Sequence, residues 1–294
     1  MGHFLKRFCS RYHIVLHKGE NLHILLTLAW NRVLLFKLRL HKWLHGIRRP
    51  IVHYYAVCWN EEKMLPFMFD YYERFVDCFT IYDNYSDDNS EAIIKSKHAK
   101  IVKFKSEGFD DAIHQKIKDN CWKRSRGKAD FVIVCDIDEF LYHSDLKSFL
   151  QDAINKGDTI FETSCFDMYS QDYPKYDGSR LITEQLCQGV RNEYNDKSIL
   201  FDPHRIVEIV YEVGAHRAYP LGIVKRNNSN GSLKILHYKY LSLEHVVNRM
   251  KSYLIRLSDA NKEHGWGEEY QKNEDCIKKD FYEKFSQCRP IIKL

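Results

Sequence analysis

The most constraining feature of the chain is the run Phe131, Val132, Ile133, Val134, Cys135, followed at once by Asp136, Ile137, Asp138 and Glu139. Five consecutive apolar strand formers, rather than an alternating pattern, suit a strand buried on both faces, as in a parallel sheet covered by helices on either side. Upstream, the apolar run Val52 to Trp59 reads as a first strand. Pro66 then opens a helix over Pro66 to Phe75, where its missing amide donor costs nothing. Phe79 to Tyr82 and Ile101 to Phe104 read as further strands, with a helix from Glu91 between them. Asp110 to Trp122 is helical, with Ile113, Ile117 and Cys121 on one face. The order is strand, helix, three times over, and then the strand 131–135, so the fold class is α/β with a Rossmann-like, mostly parallel central sheet flanked by helices.

In open sheets of this kind ligands bind beyond the carboxyl ends of the strands. The polar clusters at Asn60 to Glu62, at Asp83 to Ser90 and at Asp136 to Glu139 all fall there. Asp136 and Asp138, one residue apart at a strand end, can both reach a single divalent ion, and hard carboxylate oxygens suit Mg²⁺ or Mn²⁺. Such an ion neutralises a diphosphate that leaves with growing negative charge. An Asp-x-Asp triplet taken alone also describes a solvated turn.

Past residue 150 the pattern loosens. Strands are expected at Thr159 to Thr163 and near 206 to 212 and 233 to 238, a loop rich in Asp and Tyr at 167 to 180, and a helix from Leu243 to Leu257 with Arg249, Lys251 and Arg256 opposite its apolar face. At the other end, residues 1–50 carry ten Lys or Arg against Glu20 alone, and Leu22, Leu25, Leu26, Ala29, Val33, Phe36 and Leu40 fall at helical spacing. This predicts a basic amphipathic helix, which either lies at an anionic membrane surface or packs on the globular domain or a second subunit. Its longest apolar stretch, Leu22 to Trp30, is too short to cross a bilayer and ends in no cleavage pattern, so neither a spanning anchor nor a secretory signal is expected.

The net charge of +5 is concentrated in that segment, which argues against nucleic acid as a partner. With 44% hydrophobic and 14% aromatic residues the chain has the composition of a folded protein. The nine scattered cysteines show no CxxC spacing and imply a reducing, cytoplasmic setting. The expected division is a basic helical segment over 1–50, the α/β domain over 51–260 and a helical tail over 261–294.

Three segments in order, Val57 to Glu62, Ile81 to Asp88 and Asp136-Ile137-Asp138-Glu139-Phe140-Leu141, resemble the successive motifs of family 2-like glycosyltransferases, nearest to the bacterial group with a D-x-D-E-F-L signature. The likeness spans roughly residues 52 to 257 and implies a GT-A type domain, a nucleoside diphosphate sugar donor with UDP-sugars foremost, a divalent cation and an inverting transfer. Position by position it places Asn60 and Glu62 near the donor base, Asp83 and Asn84 at base or ribose, Asp136 at ribose or metal, and Asp138 on the metal. Asn84 stands where the family usually has a second acid.

Leu236-His237-Tyr238 and Gly214-Ala215-His216 resemble the two histidine segments of that branch, which makes His237 a third metal ligand and His216 a weaker candidate. Lys197-Ser198-Ile199 resembles a short basic motif that meets phosphate or acceptor. An inverting transfer needs a carboxylate base beside the acceptor hydroxyl, and Asp167 and Asp172 are both candidates. The acceptor is expected to be a glycan or lipid-linked glycan in polysaccharide biosynthesis, at the cytoplasmic face of the cell membrane. Two other classes stay open: a haloacid dehalogenase-like phosphatase with Asp136 as nucleophile, and a non-catalytic membrane-associated protein. Phe140, standing where the phosphatases carry Thr or Val, and a motif that follows three β/α units rather than opening the domain weigh against the phosphatase.

Overall fold

The computed structural model describes residues 13–16 and 21–292. Its first half runs β1 (Ile14–Val15), α1 (Asn21–Leu44), β2 (Val52–Cys58), α2 (Leu65–Tyr72), β3 (Cys78–Asp83), α3 (Ser90–Ser96), β4 (Lys100–Lys103), α4 (Asp111–Asn120) and β5 (Phe131–Asp136). Strands β5, β2, β3 and β4 lie side by side and parallel. The register keeps their carboxyl ends level: Cys58 pairs with Asp83, and Val57 with Asp136. The strand 131–135 is apolar throughout because both of its faces are covered. Ile133 and Cys135 join one core with Tyr54, Ile81 and the aromatic side chains of α2, while Val132 and Val134 join a second core with Tyr55, Trp122 and Phe201.

The second half runs β6 (Glu139–Tyr142), α5 (Leu146–Lys156), β7 (Ile160–Phe161), β8 (Ser164–Ser170), α6 (Ile182–Gln185), β9 (Gln188–Arg191), β10 (Leu200–Phe201), β11 (Ile206–Tyr211), β12 (Ala218–Ile223), β13 (Arg226–Asn227), β14 (Lys234–Leu241), α7 (Leu243–Arg256), α8 (Asp259–Glu263), α9 (Glu274–Ser286) and β15 (Arg289–Pro290). Strand β10 joins β5 antiparallel and carries β7 and β13 beyond it, giving a seven-stranded sheet ordered β13-β7-β10-β5-β2-β3-β4. A five-stranded sheet, β15-β9-β8-β14-β6, stands beside it, and β1-β12-β11 form a third. The molecule is α/β with a mostly parallel central sheet between helices.

Local chemistry fixes the helix ends. Asp145 accepts from the Ser148 amide at 3.0 Å to open α5, and Gly157, at φ 73°, closes it in the left-handed conformation. Ser242 accepts from the His245 amide at 3.2 Å to open α7 directly after β14. The described part of the helical tail expected over 261–294 packs on the domain: Ile277 and Phe281 of α9 are buried with Tyr169, Val246 and Met250, and β15 pairs with β9. The segment 164–170, expected to begin the loop at 167, is strand β8 as far as Ser170. It reads as a loop because Asp167 interrupts the apolar pattern of Cys165 and Met168, and that interruption is a feature of the site.

Helix α1 packs one face on the domain through Ile24, Leu28 and Leu38, and the Asn31 amide donates to the His204 carbonyl at 2.8 Å. Residues 1–12 and 17–20 of the basic segment, Cys9 among them, lie outside the described residues. The eight other cysteines are free thiols.

Candidate active site

The turn between β5 and β6 builds the centre of the site. Ile137 is buried and anchors it, so that Asp136 and Asp138 on either side project the same way. Strand β14 completes the arrangement from the second sheet, where its register sets His237 opposite Glu139 on one side and Asp167 on the other. The Asp138 carbonyl accepts from the Tyr238 amide at 2.8 Å and ties the turn to β14. A cleft of about 600 Å³ opens here, lined among others by Trp59, Glu61, Lys118, Asp136, Asp138, Lys197, His216, His237 and Arg249.

Charge inside the cleft is dense and paired. Asp136 meets Lys118 of α4 at 2.7 Å and Lys197 at 3.6 Å, and Lys197 also meets Glu139 at 2.5 Å. Burial works against the Asp136 carboxylate, but Lys118 and Lys197 outweigh it and hold the group below the usual carboxylate range. Asp138, 1% exposed, meets Arg249 at 2.8 Å and His237 Nε2 at 3.6 Å. Burial again opposes the charge, and Arg249 followed by His237 overcomes it. The other ring nitrogen, Nδ1, lies 3.0 Å from Asp167, which also accepts from Asn192 at 2.7 Å. Burial pulls the His237 imidazole down, yet Asp138 and Asp167 raise it to about 9. In this arrangement Arg249 and a protonated ring supply the positive charge that the carboxylates demand.

Of the buried side-chain atoms without a hydrogen-bond partner among the described residues, three face this cleft: Asp138 Oδ2, His114 Nε2 and His216 Nδ1. Arg249 lies within ion-pair distance of Asp138 Oδ2 but is not aligned as a hydrogen bond to it. That oxygen is charge-paired but makes no aligned hydrogen bond, a state that suits a metal ion, which needs no donor angle. The pairing of Asp167 with His237 has the form in which a carboxylate fixes the ring orientation of a metal-binding imidazole. Cys165, Asp167 and His237 each present a ligand atom within 4.8 Å of one another. Cys165 stays a thiol, because burial pushes its ionisation up.

The other expected residues sit differently. Asn60 spends its side chain on Asp87, donating to Oδ1 at 2.5 Å and accepting from the Asp87 amide at 3.0 Å. Glu62 accepts from the amide and side chain of Asn89 at 3.1 and 2.9 Å. Asp83 is buried and accepts from Ser86 Oγ at 2.6 Å and Lys103 at 2.5 Å. Asn84 donates to Ser106 at 2.7 Å. These four lace the loops after β2, β3 and β4 to one another, and none of them lines the cleft. Asp172 is exposed and also outside the cleft lining, and Asp167 is engaged as the partner of His237.

Several cleft residues escaped the sequence. Glu61, between the two residues singled out there, turns inward and lies 3.5 Å from Arg249; burial lifts its carboxyl to about 7, against the pull of Arg249. Arg249, read as the outer face of α7, points into the site, as does Lys118 of α4. Beyond them the Arg256 guanidinium covers the Trp59 ring at 3.5 Å, and Tyr253 stacks on Tyr270 at 5.0 Å, so the wall at the end of β2 is flat and aromatic.

No family model matches this sequence, and no curated protein does. Among solved structures, glucosyl-3-phosphoglycerate synthase from Mycobacterium tuberculosis, in complex with Mn²⁺, uridine diphosphate and glucosyl-3-phosphoglycerate, is similar at 16% identity and a TM-score of 0.29, over 40% of this chain and 44% of that one. S. aureus TarS is similar at 11% identity and a TM-score of 0.39, over 80% of this chain and 43% of that one. This chain therefore matches less than half the length of either protein. At such values the likeness carries no functional weight, and the chemistry of the cleft rests on its own residues.

Proposed function

We propose that the chain is a metal-dependent glycosyltransferase of GT-A type, moving a sugar from a nucleoside diphosphate sugar, a UDP-sugar first among them, to a hydroxyl of a glycan or lipid-linked glycan with inversion. The observation that carries this reading is the buried Asp138 oxygen without a hydrogen-bond partner, set beside Asp136 and an imidazole held by Asp167, at the carboxyl ends of parallel strands. Asp136, Asp138 and His237 would hold Mn²⁺ or Mg²⁺. Once bound, the cation supplies Lewis-acid stabilisation of the departing diphosphate.

The chain's own residues do the rest. Lys118 and Lys197 keep Asp136 ionised and add positive charge where phosphate oxygens gather. Arg249, which meets both Asp138 and Glu61, adds a further positive charge on the same side of the cleft. Trp59 and Arg256 offer a planar wall to a base. Asn60, Glu62, Asp83 and Asn84 hold the loops that carry this wall rather than touching the donor themselves. Glu61 faces the cleft with a carboxyl that exchanges its proton near neutrality, as a base deprotonating an acceptor hydroxyl requires. It takes the part for which Asp167 and Asp172 were first considered.

The test is release of the nucleoside diphosphate from a panel of nucleotide sugars, with Mn²⁺ and with a chelator. Metal-dependent release from one donor supports the proposal. Metal-dependent hydrolysis of a generic phosphate ester, with every nucleotide sugar left intact, would assign the site to a phosphatase.

A further inference from the structure

Helix α1 is apolar on two faces, and among the described residues only one of them is packed. Ile24 and Leu28 pack on Val207, and Leu38 packs on Ile51 and Ala129. The opposite face shows water Leu22, Leu26, Trp30, Val33, Phe36 and Trp43, with Leu22 at 70%, Phe36 at 67% and Trp43 at 76% exposure. At about 3.6 residues per turn these six fall in one stripe about 140° wide, along a helix about 36 Å long. Six large apolar side chains in one continuous stripe are far more than a monomer's surface ordinarily shows, and such patches mark interaction sites.

The edges of the stripe say what covers it. At helical spacing Arg32 and Arg39 follow one border, His23 and His41 the other, and the exposed Lys37 lies within it. Basic residues bordering an apolar stripe that carries two tryptophans match the boundary of an anionic bilayer, where indole rings settle at headgroup depth and long basic side chains reach the phosphates. A second copy of the chain would set the same cations against themselves. Among the described residues no helix is long and apolar enough to cross a membrane. We infer that the outer face of α1 docks the protein flat on an anionic lipid surface.

The contacts of α1 fix the orientation. Lys42 pairs with Asp130 at 2.6 Å, and Leu38 meets Ile51 and Ala129, residues just before the amino ends of β2 and β5. The cleft opens at the carboxyl ends of those strands, about 20 Å away at about 3.3 Å per residue. Docking through α1 therefore leaves the cleft open to water, and it stands as an inference whether or not the cleft transfers sugar.

The test is sedimentation of the full chain with vesicles of phosphatidylcholine alone and of phosphatidylcholine mixed with phosphatidylglycerol, with oligomeric state followed in parallel. The chain is expected to pellet with the anionic vesicles and to be released by salt. Replacing Arg32 and Arg39 together by Glu should weaken partitioning by at least about fivefold per residue. Trp30→Glu with Phe36→Glu should abolish it while the thermal midpoint holds, since neither side chain is packed. A chain that stays in the supernatant with anionic vesicles overturns the inference. So does a dimer that the Trp30→Glu, Phe36→Glu variant dissolves, which would give the face to a second copy.

Discussion

At the scale of single residues, the account turns on carboxylates that are buried and paired. Asp138 was legible as a metal-ligand candidate from the Asp-Ile-Asp spacing. His237 was named beside it only through the family resemblance, and Arg249 was not named as a partner at all, because both come from elements about a hundred residues away. Those partners decide how it can be tested. Asp138→Ala would strip Arg249 of its nearest counter-charge and leave Glu61, at 3.5 Å, to offset it, whereas Asp138→Asn keeps shape and a polar contact. Asp138→Asn should remove metal-dependent transfer while circular dichroism shows a folded chain; full activity in that variant would remove the metal assignment. Glu61→Gln should lower kcat by about 10² to 10⁴ with little change in donor affinity, the pattern of a lost base. An equal rise in KM with kcat unchanged would make Glu61 a binding residue instead.

At the scale of elements, strands β2 to β5 and the helices between them were readable within about three residues, because apolar periodicity is strong where both faces of a strand are covered, whereas the two-residue β1 was not read. The loop residues chosen from their motifs were harder to place. Asn60, Glu62, Asp83 and Asn84 have the chemistry of ligands, yet each satisfies a neighbouring loop, and sequence spacing cannot separate a polar group that binds outward from one that braces inward. Strand β8 was missed because a buried Asp at its centre mimics a loop until Asn192 and His237 are known to satisfy it.

The same bracing makes a prediction at Gly108, between β4 and α4. Its φ is 77°, and a Cβ there would meet the Arg256 carbonyl at 1.9 Å. Gly108→Ala should therefore cost about 1 to 3 kcal/mol of stability and loosen the wall formed by Trp59 and Arg256. Chemical denaturation measures this, and an unchanged midpoint would show that the loop after β4 is not held against α7.

At the scale of the whole molecule, four histidines are held neutral by burial: His53, His114 and His245 are each lowered to about 4, and His216 to about 3. A histidine lowered on folding binds its proton more readily in the unfolded chain. The stability that these four rings contribute is therefore complete above about 6.5 and drains away as pH falls toward 4. The thermal midpoint should drop steadily across that window, and His53→Gln, remote from the cleft and with its ring bonded to Ser125, should flatten part of the decline. A midpoint insensitive to pH from 6.5 to 4 would mean that these rings are more open to solvent than the packing shows.

The most direct measurement of the central claim is a thermal-shift titration of the full chain with UDP, GDP, CMP and ADP, each with Mn²⁺ and with a chelator, repeated in Asp138→Asn. Ligand that binds only the native state adds about 2.7 kcal/mol at about a hundred times Kd. The account predicts that one nucleoside diphosphate raises the midpoint by a few degrees with Mn²⁺, and that chelation or Asp138→Asn erases the rise. No shift with any of the four, or an equal shift with and without metal, would contradict it.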